Sequence, residues 1–264
     1  MNTGGEGITV TILGSGTCVP SLDRSAAAVL METCGMRLLF DIGPGTMRRL
    51  LESGTGIQDI DSLFISHFHP DHTGELAAFL FATKYPDPGR RKKPLTIVGG
   101  PGFRSFYEQL VDVYQGWIHL PEICRLVEVD PNDRMPPDGA FNAIDVDFAA
   151  VAHRPESLAF RIGTPDGASV VVSGDTAYSE NLVRLALKTD LLICEAALPD
   201  EFSVEGHMTP STAGRTAAEA GAGTLVLTHF YPECDHADMA GQCRKTWAGP
   251  LLLARDLMQI PVRR

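Results

Sequence analysis

The sequence has no apolar run approaching the roughly 20 residues needed to cross a bilayer, and Met1 to Gly7 lack the basic-then-apolar order of a secretory leader. Nothing in it reads as a membrane anchor or an export signal. It also lacks a CxxC pair, since its six cysteines stand apart at 18, 34, 124, 194, 234 and 243. A chain of 264 residues, 44% of them apolar, can bury a core without the disulfide framework of small secreted domains. The cysteines are therefore read as free thiols in a reducing cytoplasm. Basic residues are scarce as well. Thirty-three Asp and Glu against 22 Lys and Arg leave a formal net charge of −11, a poor match for nucleic acid, whose phosphates are met by Lys and Arg. The one basic run, Arg90-Arg91-Lys92-Lys93, lies among Pro86, Pro88, Gly89 and Pro94 and reads as a solvated turn rather than a phosphate patch.

What is present is an even mixture of strand and helix signals. β-rich runs bounded by Gly, Pro, Asp or Ser predict strands over 8–13, 27–31, 37–40, 62–65 and 95–98, then over 125–129, 144–149, 157–162, 169–173, 191–194 and 224–227. Pro165-Asp166-Gly167 predicts a hairpin turn between 157–162 and 169–173. Helical spacing marks 46–53, 74–84 and 103–114. Thr209 followed by Pro210 predicts the start of a helix that Gly221 closes, and 236–247 with 251–258 predict a helical C-terminus. Two comparable halves without a Pro- or Ser-rich linker predict an α/β fold in which two sheets pack together and helices cover them, in one domain over 1–264. Gly14-Ser15-Gly16 invites a dinucleotide reading, but Val19 stands where that fingerprint needs Gly or Ala.

The chemistry concentrates in Ser66-His67-Phe68-His69-Pro70-Asp71-His72, where four metal-ligating side chains occupy six positions after a predicted strand. In an extended segment alternate side chains share a face, so His67 and His69 can meet one metal while the turn at Pro70 swings Asp71 and His72 towards a second. Imidazole and carboxylate suit Zn²⁺, with manganese or iron as competitors. A histidine-rich surface loop would account for any one of these residues, but not for all four at this spacing.

His67-x-His69-x-Asp71-His72 resembles the signature of the metallo-β-lactamase fold superfamily. Within it the ribonuclease Z-like branch is most similar, through Gly14-Ser15-Gly16, the Asp-x-Gly-x-Gly-Thr segment over 41–46, and an aspartate rather than a cysteine between the metals. The resemblance implies a four-layer αββα sandwich. It also implies two divalent ions: His67, His69 and His153 on one, Asp71, His72 and His229 on the other, and Asp175 of Gly174-Asp175-Thr176 between them. It offers Asp71, Glu195 and His207 as catalytic candidates, with Glu195 and His207 placed to protonate the leaving group. They differ from the branch in their surroundings, Cys194-Glu195-Ala196-Ala197 and Gly206-His207-Met208-Thr209, where His-Glu-Ala-Thr and His-Ser-Thr are usual. Relatives are often homodimers.

The expected activity is hydrolysis by a metal-bridging hydroxide. Ribonuclease Z enzymes usually carry a long tRNA-gripping arm between the third histidine and the bridging aspartate, but only twenty-one residues separate His153 from Asp175. With the acidic charge, this points to a small-molecule ester, a phosphodiester first. The alternatives are RNA processing of the ribonuclease Z kind, a thioesterase, lactonase or arylsulfatase-like hydrolase on the same site, and a non-catalytic metal-stabilised scaffold. Tyr85, Trp117, Ile118 and His119 are candidates for the mouth of the pocket, or, for Trp117 and Ile118, for the core.

Overall fold

The computed structural model describes residues 7–86, 89–133, 135 and 140–264. Met1–Glu6 and Pro88, which entered the leader and loop readings, lie outside them. The run Ile8-Thr9-Val10-Thr11-Ile12 begins β1 (Ile8–Gly14), whose apolar side chains alternate with threonines across the two faces of a sheet. With β2 (Ala28–Thr33), β3 (Met36–Phe40), β4 (Ser62–Ile65), β5 (Leu95–Gly99), β6 (Cys124–Glu128) and β13 (Met258–Val262) it builds a seven-stranded sheet in the order β13-β1-β2-β3-β4-β5-β6. The second sheet holds β7 (Asp145–Ala150), β8 (Leu158–Gly163), β9 (Ser169–Val172), β10 (Leu191–Glu195), β11 (Thr224–Thr228) and β12 (Leu251–Leu253), in the order β12-β11-β10-β9-β8-β7. Each sheet has an antiparallel part and a parallel part, the latter being β3 to β6 in the first and β9 to β12 in the second.

Neighbouring residues of one strand go to different cores. Leu38, Phe40, Phe64 and Val98 face the second sheet, while Leu39, Leu63, Ile65 and Ile97 face outwards. Between the sheets the Phe40 and Phe64 rings stack at 4.8 Å, and Phe64 meets Phe160 of β8 edge-on at 5.2 Å. On the outer face, Leu50 of α1 (Thr46–Glu52), Leu76, Phe79 and Leu80 of α3 (Leu76–Lys84), and Phe103 and Tyr107 of α4 (Phe103–Tyr114) close a second core. Leu182 of α5 (Glu180–Leu185), Ala213 and Ala217 of α6 (Pro210–Ala220), and Cys243 of α7 (Met239–Cys243) cover the other sheet. The expected αββα layering is realised.

Pro210 opens α6 and Gly221, at φ +61, closes it, although Thr209 bonds Thr212 Oγ1 and Ser211 Oγ instead of a backbone N–H. The C-terminus departs from expectation. Only Met239–Cys243 is α-helical within 236–247, and 251–258 is not helical. Leu251, Leu252 and Leu253 extend the second sheet by pairing in parallel with Leu225, Val226 and Leu227. Met258–Val262 pairs antiparallel with β1, where an edge position tolerates Pro261. The basic run is solvated at Lys92 and Lys93 but not at Arg91, which is buried and whose guanidinium donates to the carbonyls of Ile57, Gln58, Ile60, Lys93 and Pro94.

Candidate metal centre

The parallel strands of both sheets deliver the candidate ligands just beyond their C-terminal ends, where ligands of parallel sheets commonly bind. After β4 the chain bends at Ser66 and runs irregularly through His67 to an extended His69, and Pro70 then opens the single turn α2 (Pro70–Thr73), which carries Asp71 and His72. Asp175 follows β9, Glu195 ends β10, and His229 follows β11. His153 lies between β7 and β8.

All seven expected ligands come together as two groups. The ligand atoms of His67, His69, His153 and Asp175 lie within 4.8 Å of one another, and so do those of Asp71, His72 and His229. Asp175 faces both groups. Its Oδ2 is 3.6 Å from His67 Nε2 and 4.0 Å from His153 Nε2, while its Oδ1 is 3.2 Å from His72 Nε2 and 3.3 Å from His229 Nε2. Asp71 Oδ2 is 3.5 Å from His229 Nε2.

These residues fit divalent ions. Among the described residues, His67 Nε2 and Asp175 Oδ1 are buried without a hydrogen-bond partner, a situation that costs about 1–3 kcal/mol per group when nothing else satisfies it. Burial, and then the neighbouring His72, push His67 down to about 2, so its ring is neutral. Burial also lowers His153. Asp175 is held well below the usual carboxylate range: burial opposes this, but His229 and His72 outweigh it. Asp71 is lowered to about 2 against burial by His229 and His72. Neutral imidazole and ionised carboxylate are the forms that bind metal. His72 is raised against burial by Asp175 and Asp41, the direction expected of an imidazole between two carboxylates.

Further residues hold the candidate ligands in orientation, an arrangement usual around metal sites. Asp41 Oδ2 lies 2.7 Å from His72 Nδ1 and accepts from Ser66 Oγ at 2.8 Å, while Oδ1 accepts from Ser66 N at 2.7 Å. Ser66 Oγ reaches His67 Nδ1 at 3.0 Å, and His153 Nδ1 donates to the Gly206 carbonyl at 2.9 Å. Asp41 and His229 adopt φ of +59° and +62°, a costly backbone for non-glycine residues that concentrates at functional sites. The sequence reading used Asp41 only as part of the segment over 41–46 and missed its role beneath His72. The available signal was an acidic residue wedged between the apolar Phe40 and Ile42.

Glu195 and His207 form a pair at the edge of the centre. His207 Nδ1 lies 2.9 Å from Glu195 Oε1, which also accepts from Thr176 N at 2.6 Å, and Oε2 accepts from Met208 N at 3.1 Å. Burial raises Glu195, although the hydrogen bond from His207 opposes it. His207 is itself raised by Glu195 against the effect of burial. Its ligand atom lies within 4.8 Å of those of Asp175 and His229. Of the residues offered for the pocket mouth or the core, Ile118 takes the core alternative, buried on the outer face of the first sheet, while exposed Trp117 packs near Tyr85 and Phe81. His119 is exposed.

Two sheets face to face between helices, with a histidine and aspartate cluster at their strand ends, define a metal-dependent hydrolase of the αββα class. The family described as "Beta-lactamase superfamily domain" matches residues 36–230, and the chain belongs to it. A ribonuclease Z of Mycolicibacterium paratuberculosis is 29% identical over 286 residues, covering 97% of this chain and 98% of that protein. Human tRNase Z, short form, superposes with a TM-score of 0.77 at 27% identity, covering 97% of this chain and all of that one. The metallo-β-lactamase fold protein YhfI from Bacillus subtilis superposes with a TM-score of 0.81 at 22% identity, covering 96% and 99%.

Proposed function

We propose that the chain is a two-metal phosphodiester hydrolase that cuts RNA by the ribonuclease Z reaction. The observation that carries this reading is one carboxylate, Asp175, facing two ligand groups with His207 against the same cluster. His67, His69, His153 and Asp175 would hold one ion, and Asp71, His72, His229 and Asp175 the other. Zinc suits this donor set, with manganese or iron as competitors. When bound, such ions supply an activated water and offset the negative charge that builds on phosphoryl oxygens.

The chain's own residues do the rest. Asp41 and the Gly206 carbonyl fix the rings of His72 and His153. Glu195 engages His207 Nδ1 and leaves Nε2 to hand a proton to the departing oxygen as the P–O bond breaks, a role suited to an imidazole raised by a carboxylate. RNA as substrate is supported by the ribonuclease Z relatives, whose likeness runs over nearly the whole chain. A small phosphodiester is the second reading. It is favoured by the net charge and by the hairpin at 164–168, which joins β8 to β9 where a tRNA-gripping arm would stand.

A precursor tRNA with a 3′ trailer, an unrelated RNA of equal length and bis(p-nitrophenyl) phosphate separate these readings, with Asp175→Ala as control. RNA processing predicts cleavage of the precursor at a discrete position, at least about tenfold faster than of the unrelated RNA. Turnover of the small diester with no preference between the RNAs would replace it with the second reading. If wild type and Asp175→Ala are equally inactive on all three, neither reading stands.

A further inference from the structure

Cys18–Asp23 is a stretch of six successive exposed residues, Leu22 almost completely so. Cys18, Val19 and Leu22 line one side of a cavity of about 440 Å³; Arg48 of α1 lines another, and Asp71, one of the candidate ligands, borders it. The loop is tied inside by Ser21 Oγ, which accepts from Asp23 N and Arg24 N, and at its C-terminal end by Arg24, which donates to Ser15 Oγ, Ala254 O and Asp235 Oδ1; the rest of its shape is set at its two feet. Both are held by one buried carboxylate. Asp256 Oδ1 accepts from Ser15 N at 2.9 Å and Ser15 Oγ at 2.8 Å, at the first foot; Oδ2 accepts from Ser25 N at 2.7 Å, at the second, and from Arg49 Nε at 3.0 Å. The feet also touch directly, Gly16 N donating to Ser25 O at 2.9 Å, and a side chain at Gly14 would come within 1.7 Å of Ala26 O.

We propose that Asp256 is a positioning residue for substrate: by clamping both feet of the 17–24 loop it sets the width of the groove that receives the organic part of the phosphodiester beside Asp71. This rests on the phosphodiester reading above. Ser15 also accepts from Phe230 N through its carbonyl, next to His229, so the alternative role for Asp256 is to hold the metal ligand. The two roles separate experimentally.

Asp256→Asn keeps the size of the side chain but removes the charge and turns an amide N–H₂ towards donors. In the variant, amide hydrogen exchange over 17–25 is expected to quicken about tenfold while β10 and β11 keep wild-type exchange. With bis(p-nitrophenyl) phosphate and a dinucleotide, KM is expected to rise about tenfold with kcat within about threefold of wild type and the metal content unchanged. Unchanged exchange over 17–25 overturns the proposal whatever the substrate. Loss of metal with KM unchanged overturns it in favour of the ligand-holding role. A wild type inactive on every phosphodiester defeats the phosphodiester reading and with it the substrate assigned to the groove, while exchange still decides whether Asp256 orders the loop. If Asp256→Asn does not fold, Ser15→Ala, which removes one of the four donors, is measured in the same way and is expected to shift exchange and KM in the same directions by about threefold.

Discussion

The Glu195 carboxylate accepts from three backbone N–H groups, those of Thr176, Ala197 and Met208, in addition to engaging His207. That geometry makes His207 and Glu195 one unit. Glu195→Gln is therefore expected to keep the metals and lower kcat about 10²-fold, and Glu195→Gln combined with His207→Ala to be little worse than either change alone, as for residues that act together. Steady-state kinetics with metal analysis checks both. Asp41→Asn is expected to weaken metal binding about 10- to 100-fold, measured by competition with a chelator, because the carboxylate that orients His72 loses its charge. The cluster of candidate ligands was legible because four of them sit in one short segment and the others follow strands in order. Asp41 was not, since its partner is 31 residues away and only the fold brings them together.

Elements whose pattern is local were read to the residue, as for 62–65 in β4 and 103–114 in α4. The C-terminal strands were not. Leucines at 251–253 suit a helix as well as a strand, and what decides is pairing with β11; likewise Met258–Val262 takes its form from β1, some 250 positions earlier. The inner faces of the sheets carry the load of the fold. Phe64 contacts Phe40, Phe141 and Phe160 and is fully buried, so Phe64→Ala is expected to cost about 3–5 kcal/mol, read from the midpoint of chemical denaturation at unchanged slope.

The whole molecule joins an acidic surface to a centre that holds the carboxylates of Asp71 and Asp175. The net charge is −11, and members of the basic run are engaged internally, Arg90 with Glu122, Arg91 with backbone carbonyls and Lys93 with Asp61. On the proposed phosphodiester reading, phosphate recognition would fall to the centre and to the groove beside it. The layered architecture was legible from two comparable halves of strands and helices, whereas the groove was not, because its wall is an exposed loop fixed by a carboxylate more than 200 residues away. Among the described residues no helix is long and apolar enough to cross a membrane. A pair of ions serving phosphodiester hydrolysis is open to titration: strip the protein with a chelator, then follow bis(p-nitrophenyl) phosphate turnover as Zn²⁺ is returned stepwise. Activity is expected to be lost on stripping and regained until two equivalents per chain are bound. Turnover that survives complete stripping, or none at any loading, would contradict it.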